Sequence, residues 1–93
     1  VASDVPLDPK EAAKEAAKAK VKSRGALEWG KMTDAIAAGE QAVALDPTDA
    51  EAWLILGAAY QQKGDSKNAV RSFKACMDEG KRGPKNECAA MLR

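Results

Sequence analysis

Gly57 is the residue that most narrows what this chain can fold into. Between Ala50 and Phe73, two apolar patterns of helical period flank a break at Gly64-Asp65. In the first pattern Trp53, Leu56, Gly57 and Tyr60 fall at the i, i+3, i+4, i+7 spacing of one helix face. In the second, Ala69, Phe73 and Met77 share a face. Gly57 and Ala69 are the smallest groups on those faces, so two helix backbones can approach closely there while the aromatic rings fill the space on either side. The stretch predicts a helical hairpin whose close contact is made by small residues.

Trp53-x-x-Leu56-Gly57-x-x-Tyr60, followed by Ala69-x-x-x-Phe73, resembles the tetratricopeptide-repeat signature at each of those positions. The family's closing proline is missing. Lys81 stands near its place and the proline present is Pro84, which predicts a longer turn after this hairpin. A shift of about 34 residues, the family period, lays Gly30 on Gly64, Ala35 on Ala69, Ile36 on Val70 and Val43 on Met77, with Pro47 at the closing-proline position. This first copy is degenerate: Ala19, Lys22, Ser23, Ala26 and Gly39 replace the Trp, Leu, Gly, Tyr and Phe. The resemblance implies an all-α fold of stacked antiparallel helical hairpins, a TPR-like right-handed superhelix closed by a capping helix. The expected organisation is a tail or linker over about 1–8 and a domain over 9–93, with repeat 1 at about 16–49, repeat 2 at about 50–83 and the cap at 84–93.

Local signals place the helix ends. Asp8-Pro9-x-Glu11 reads as an N-cap, a first-turn proline and a glutamate reaching back, starting a helix over about 9–28. Its Glu11-to-Lys18 half is rich in helix formers and poor in large apolar groups, like a partly exposed spacer. Gly30 breaks the pattern, and a second helix over about 31–45 should bury Ala35, Ile36, Ala42 and Val43. Asp46-Pro47 ends it. Thr48-x-x-Glu51 predicts a capping box for a helix over about 50–63, and Asp65 predicts the cap of one over about 65–79. Gly80 and Gly83 punctuate the next turn, and Pro84 opens a last helix over about 84–92.

Ninety-three residues make one small domain, of a size that is often marginal alone. Two hairpins leave a stack short of the usual three or more units. Either the last helix seals the second hairpin with Met91 and Leu92, or further repeats follow, or two chains pair as a homodimer. The chain begins with Val1 and not Met, which reads as an excised piece of a longer protein. No run reaches the length of a membrane span, so membrane insertion is not expected. The net charge is +1 but segmented: +4 over 10–31, −5 over 32–62, which holds no Lys or Arg, and +4 over 63–93. That pattern argues against generic nucleic-acid binding, which needs a coherent basic face; the Lys18, Lys20, Lys22 and Arg24 cluster is the weak alternative.

With no histidine, no phosphate-cradling glycine loop and no serine elbow, no enzyme activity is expected, and Glu40 and Asp46 read as solvated carboxylates. Two cysteines without histidine make no ordinary zinc site, and no metal or other cofactor is expected. Cys76 and Cys88 are either one disulfide or two reduced, core-packed thiols. The disulfide is favoured because both flank the weakly capped junction; it requires the last helix to fold back on the one before it. It would imply an oxidising, extracytoplasmic compartment, and free thiols would imply the cytoplasm.

The resemblance also implies a groove. In the family the first helix of each hairpin lines a concave surface that binds peptides. The positions mapping there are Lys20, Val21, Arg24 and Leu27, then Leu54, Ile55, Ala58 and Gln61, then Lys85 and Ala89. Lys20 and Arg24 lie one turn apart, beside an aliphatic shelf of Leu54 and Ile55. Such a surface suits a protein or peptide partner with an acidic group and an aliphatic anchor. The carboxylate-gripping variant of the family is not matched, because Arg24 and Ile55 stand where asparagines belong and Ala89 replaces a basic group. The expected function is therefore a non-catalytic protein-interaction module. The alternative is a spacer or terminal cap of a larger protein, in which Leu54 and Ile55 are buried.

Overall fold

The structure is a computed structural model that describes residues 8–93. The tail expected over 1–8 lies, except for Asp8, outside the described residues. Five helices follow in order: α1 (Pro9–Glu28), α2 (Met32–Leu45), α3 (Ala50–Lys63), α4 (Ser66–Glu79) and α5 (Lys85–Met91). No strand occurs among the described residues, and a single bridge pairs Asp49 with Arg82. α1 packs on α2 and α3 on α4, each pair joined by a short turn; α2 packs on α3, and α5 closes on α4 and α3.

The helices start where short side chains satisfy free amides. Asp8 accepts from the Glu11 N–H at 2.8 Å and Asp65 from the Asn68 N–H at 3.1 Å. The capping box expected at Thr48 does not form. Asp46, two residues back, accepts both the Thr48 N–H (3.1 Å) and the Thr48 hydroxyl (2.6 Å), so Thr48 is held in a side-chain turn. Asp49 takes over as cap and accepts from the Glu51 N–H at 3.1 Å. α5 is shorter at both ends than expected, with Pro84 as its N-cap. On α2, Ala35, Ala42 and Val43 are buried as expected and Ile36 is half-buried, while Ala38 and Gly39 join the buried face.

The core runs between the hairpins and is built around Phe73, Leu56 and Trp53. A Cβ on Gly57 would lie 2.4 to 2.8 Å from three atoms of the Phe73 ring, so the ring rests on bare backbone. The first hairpin inverts this arrangement. Ser23 stands at the glycine position and Gly39 at the phenylalanine position; a Cβ on Gly39 would meet Leu56 Cδ1 at 3.0 Å and Ser23 Oγ at 3.1 Å. Leu56 of the neighbouring hairpin thus fills the room that a ring would take. The buried Ser23 hydroxyl donates to the Ala35 carbonyl at 2.7 Å, so it carries no desolvation penalty.

The turns between hairpins are clasped to each other. The Ala50 N–H donates to the Arg82 carbonyl (2.9 Å), the Lys81 N–H to the Thr48 carbonyl (2.8 Å), and Trp53 Nε1 to the Pro47 carbonyl (2.8 Å). Cys76 and Cys88 form a disulfide with a Cα–Cα distance of 6.3 Å, and both residues are fully buried. No helix among the described residues is long and apolar enough to cross a membrane.

Two measurements check this packing. Gly57→Ala should cost about 1–3 kcal/mol in urea unfolding, because the added methyl must displace the Phe73 ring. Gly25→Ala, where no atom lies within 4 Å of the new Cβ, should instead stabilise by about 0.5–1 kcal/mol. Cys76→Ser with Cys88→Ser should lower stability by about 3 kcal/mol relative to the oxidised chain, the loop-closure value for a bridge of this size. Unfolding of the oxidised and alkylated chains at equal stability would refute that role for the bridge.

Candidate functional site

Four residues of α3 face away from the core at the i, i+3, i+7, i+10 positions of one pole: Glu51, Leu54, Ala58 and Gln61. Leu54 and Ala58 are half-buried and Gln61 is exposed. Ile55 does not join them. One residue beyond Leu54 it turns about 100° around the helix, and it is buried at 8 % exposure, which corrects the expected shelf of two aliphatic residues. On α1, Lys20, Arg24 and Leu27 are half-buried and Val21 is 62 % exposed. On α5, Lys85 is exposed and Ala89 half-buried.

The basic pair sits on one face as expected, but it is already engaged. Lys20 Nζ lies 2.8 Å from Asp49 Oδ2 and 2.9 Å from Glu51 Oε1, and Arg24 Nη2 lies 2.9 Å from the same Glu51 oxygen. Asp49 caps α3 and Glu51 occupies its first turn, so the carboxylates that favour this helix N-terminus also reach across to α1. The hydrogen bond from Lys20, outweighing partial burial, lowers the Glu51 carboxyl below its ordinary value. Partial burial pushes Lys20 down, but hydrogen bonds to Asp49 and Glu51 outweigh it and raise the ammonium.

Two further polar clusters were missed from the sequence, where Glu40 and Asp46 read as free surface carboxylates. Glu40 accepts from the Tyr60 hydroxyl and from Arg71 Nη2 at 2.7 Å, and the Arg71 guanidinium lies 5.7 Å from the Tyr60 ring centroid. Asp46 accepts from Arg82 Nη2 at 2.5 Å, and Arg82 Nη1 donates to Thr48 Oγ1 at 2.8 Å. Burial raises the Asp46 carboxyl, but the bonds from Thr48 and Arg82 outweigh it and hold the group below its ordinary range. The signal that could have found these clusters was the segmented charge itself: a middle stretch without cations, between two basic ones. Outside the groove, a shallow open depression of about 650 Å³ runs along the outer side of α4, lined among others by Trp53, Val70 and Lys74. No cluster of metal-ligating side chains occurs among the described residues.

Residues 27–64, from the last turn of α1 to the glycine cap of α3, match the family model described as TPR repeat. No curated protein matches the chain by sequence.

The charge clamp sets a pH dependence. The folded Glu51 and Asp46 carboxyls are depressed, so their contribution is fully present above the ordinary carboxylate pKa of about 4 and is lost as pH falls through the folded values. Urea midpoints should therefore drop on acidification from about pH 5 towards pH 3. Glu51→Gln should cost about 1 kcal/mol or less at pH 7, as for a largely exposed pair, and flatten part of that acid limb. An acid limb identical to that of the unsubstituted chain would show that the Lys20–Glu51–Arg24 contact contributes nothing.

Proposed function

The chain belongs to the tetratricopeptide-repeat family, and from that premise we propose that it is a non-catalytic protein-interaction module that holds a peptide or partner helix in the groove of α1, α3 and α5. The observation that carries this reading is the Arg24–Glu51 pair at the rim. Each side chain keeps 42 % of its surface exposed, so an incoming carboxylate can share the Arg24 guanidinium with Glu51. An aliphatic ligand side chain then rests on Leu54 and Ala58, and Leu27, Gln61 and Lys85 border the same surface. Glu51 acts as an internal competitor for acidic ligands, which sets affinity by exchange of one carboxylate for another. The buried disulfide favours an extracytoplasmic setting, where such bonds persist.

A second reading, a ligand-free spacer or cap within a larger protein, is favoured by the burial of Ile55 and the internal pairing of Lys20. Selection of a phage-displayed random peptide library on the domain separates the two. The interaction reading expects enrichment of peptides with an acidic residue next to an aliphatic one. Ala58→Glu should weaken such a peptide about tenfold or more, an energy on the order of 1.4 kcal/mol. Glu51→Gln should strengthen it, and Gln41→Glu on exposed α2 surface should leave it unchanged. No enrichment, or a peptide indifferent to Ala58→Glu, would favour the spacer.

A further inference from the structure

One flank of α4 is the counterpart of a flank of α2 that the fold covers. The family period carries Thr33, Ile36, Glu40 and Val43 of α2 to Lys67, Val70, Lys74 and Met77 of α4. On α2 the covering helix is α3, with 14 residues. Beneath it Val43 is 5 % exposed and Ile36 packs on the core. Two polar residues of α3, spaced i, i+3, complete the contact: the Tyr60 hydroxyl donates to Glu40, and Lys63 Nζ donates to Thr33 Oγ1 at 3.2 Å. The α2 flank is therefore an apolar pair bordered by two acceptors, met by two donors from one helix.

On α4 the helix in the covering place is α5, with 7 residues. It turns Cys88 fully inwards and Ala89 and Leu92 partly so, and leaves Val70 at 41 % and Met77 at 38 % exposure. The polar border is inverted. Where α2 presents a hydroxyl and a carboxylate, α4 presents the ammonium groups of Lys67 and Lys74, and among the described residues neither is paired with a carboxylate.

We propose that this flank docks one amphipathic helix of a partner protein, bearing two carboxylates at i, i+3 spacing beside an aliphatic edge. The aliphatic edge covers Val70 and Met77; the carboxylates meet Lys74 and Lys67 as Tyr60 and Lys63 meet Glu40 and Thr33. A second copy of this chain is a poor occupant, because an antiparallel α4 pair centred on Val70 and Met77 sets Lys74 against its own copy. The site is separate from the groove of α1, α3 and α5, so the two stand or fall independently.

The probe is a synthetic peptide of the α3 sequence, Ala50–Lys63, carrying Tyr60→Glu and Lys63→Glu, compared with the unsubstituted peptide. Both are titrated into the whole oxidised chain by fluorescence anisotropy, and the Val70 and Met77 methyl resonances report the place of binding. The substituted peptide should bind about tenfold more tightly, the worth of two partly exposed ion pairs. Lys67→Glu with Lys74→Glu, both at exposed positions, should reverse that order without changing the fold seen by circular dichroism. Equal affinity of the two peptides, binding of neither, resonance shifts confined to the groove, or self-association of the chain through α4 would each overturn the proposal.

Discussion

A phenylalanine ring lying on a glycine backbone sets the distance between α3 and α4, and the rest of the molecule is built outward from that distance. The ring of Phe73 sits within 2.4 to 2.8 Å of where a residue-57 side chain would begin, so the two helices meet at the closest approach the backbone allows. That proximity puts Trp53 and Leu56 on one side of the contact and Tyr60 on the other. Trp53 can then reach the Pro47 carbonyl, which ties the hairpin to the turn before it. The first hairpin has no ring of its own. It closes because Gly39 leaves a gap that Leu56 enters from the neighbouring hairpin, so the two units share a single packed layer. A degenerate repeat is stable here by borrowing volume, which accords with the tendency of interiors to fill to near-crystalline density whatever residues supply the atoms.

Electrostatics follows the same inter-hairpin logic. The stretch between Met32 and Gln62 carries five carboxylates and no cation. Four of the five are reached by basic groups from the flanking stretches: Asp49 and Glu51 by Lys20 and Arg24 of α1, Glu40 by Arg71 of α4, and Asp46 by Arg82 of the turn before α5. Each such pair is partly solvated and worth little by itself. Their common feature is direction. Every one of them joins the middle of the chain to one of its ends, so a wrong stacking order of the helices would leave like charges facing one another. The segmentation of charge thus acts on specificity of arrangement more than on stability.

Helix identity was legible because the signals are local. Gly30, Pro47 and Gly64 stop helices, Asp8 and Asp65 start them, and α1 and α3 have the bounds their patterns predict. The Trp53, Gly57 and Phe73 constellation was legible because the period of a helix fixes which residues share a face. The charge state of the groove was not legible. Lys20 and Arg24 were correctly placed on one face, but their partners come from a different helix, and only the stacking angle decides that Asp49 and Glu51 reach them. Thr48 failed as a cap for a related reason: Asp46 offered its hydroxyl a nearer acceptor, and two overlapping local motifs could not be ranked by spacing alone. Ile55 was misread by a single step around the helix, since a shelf of two consecutive residues cannot face one way on a helix of this period.

The carboxyl-terminal end shows what a covalent cap does that an apolar one does not. α5 is too short to hold helical structure by itself in water, and Cys88 is its only fully buried side chain. Its position is fixed by the bridge to Cys76 and by the Lys81 and Ala50 amides in the clasped turns, not by a broad apolar face. A cap anchored at one point can protect Phe73 and Cys76, which lie beneath it, without covering the length of α4. The exposed Val70 and Met77 follow from that choice. A helix long enough to bury both would have brought sufficient apolar contact to stay in place unaided, and the cystine would then add little. The disulfide and the open flank are therefore two consequences of one short helix, and an α4 surface bordered by unpaired lysines is the condition in which the chain remains folded.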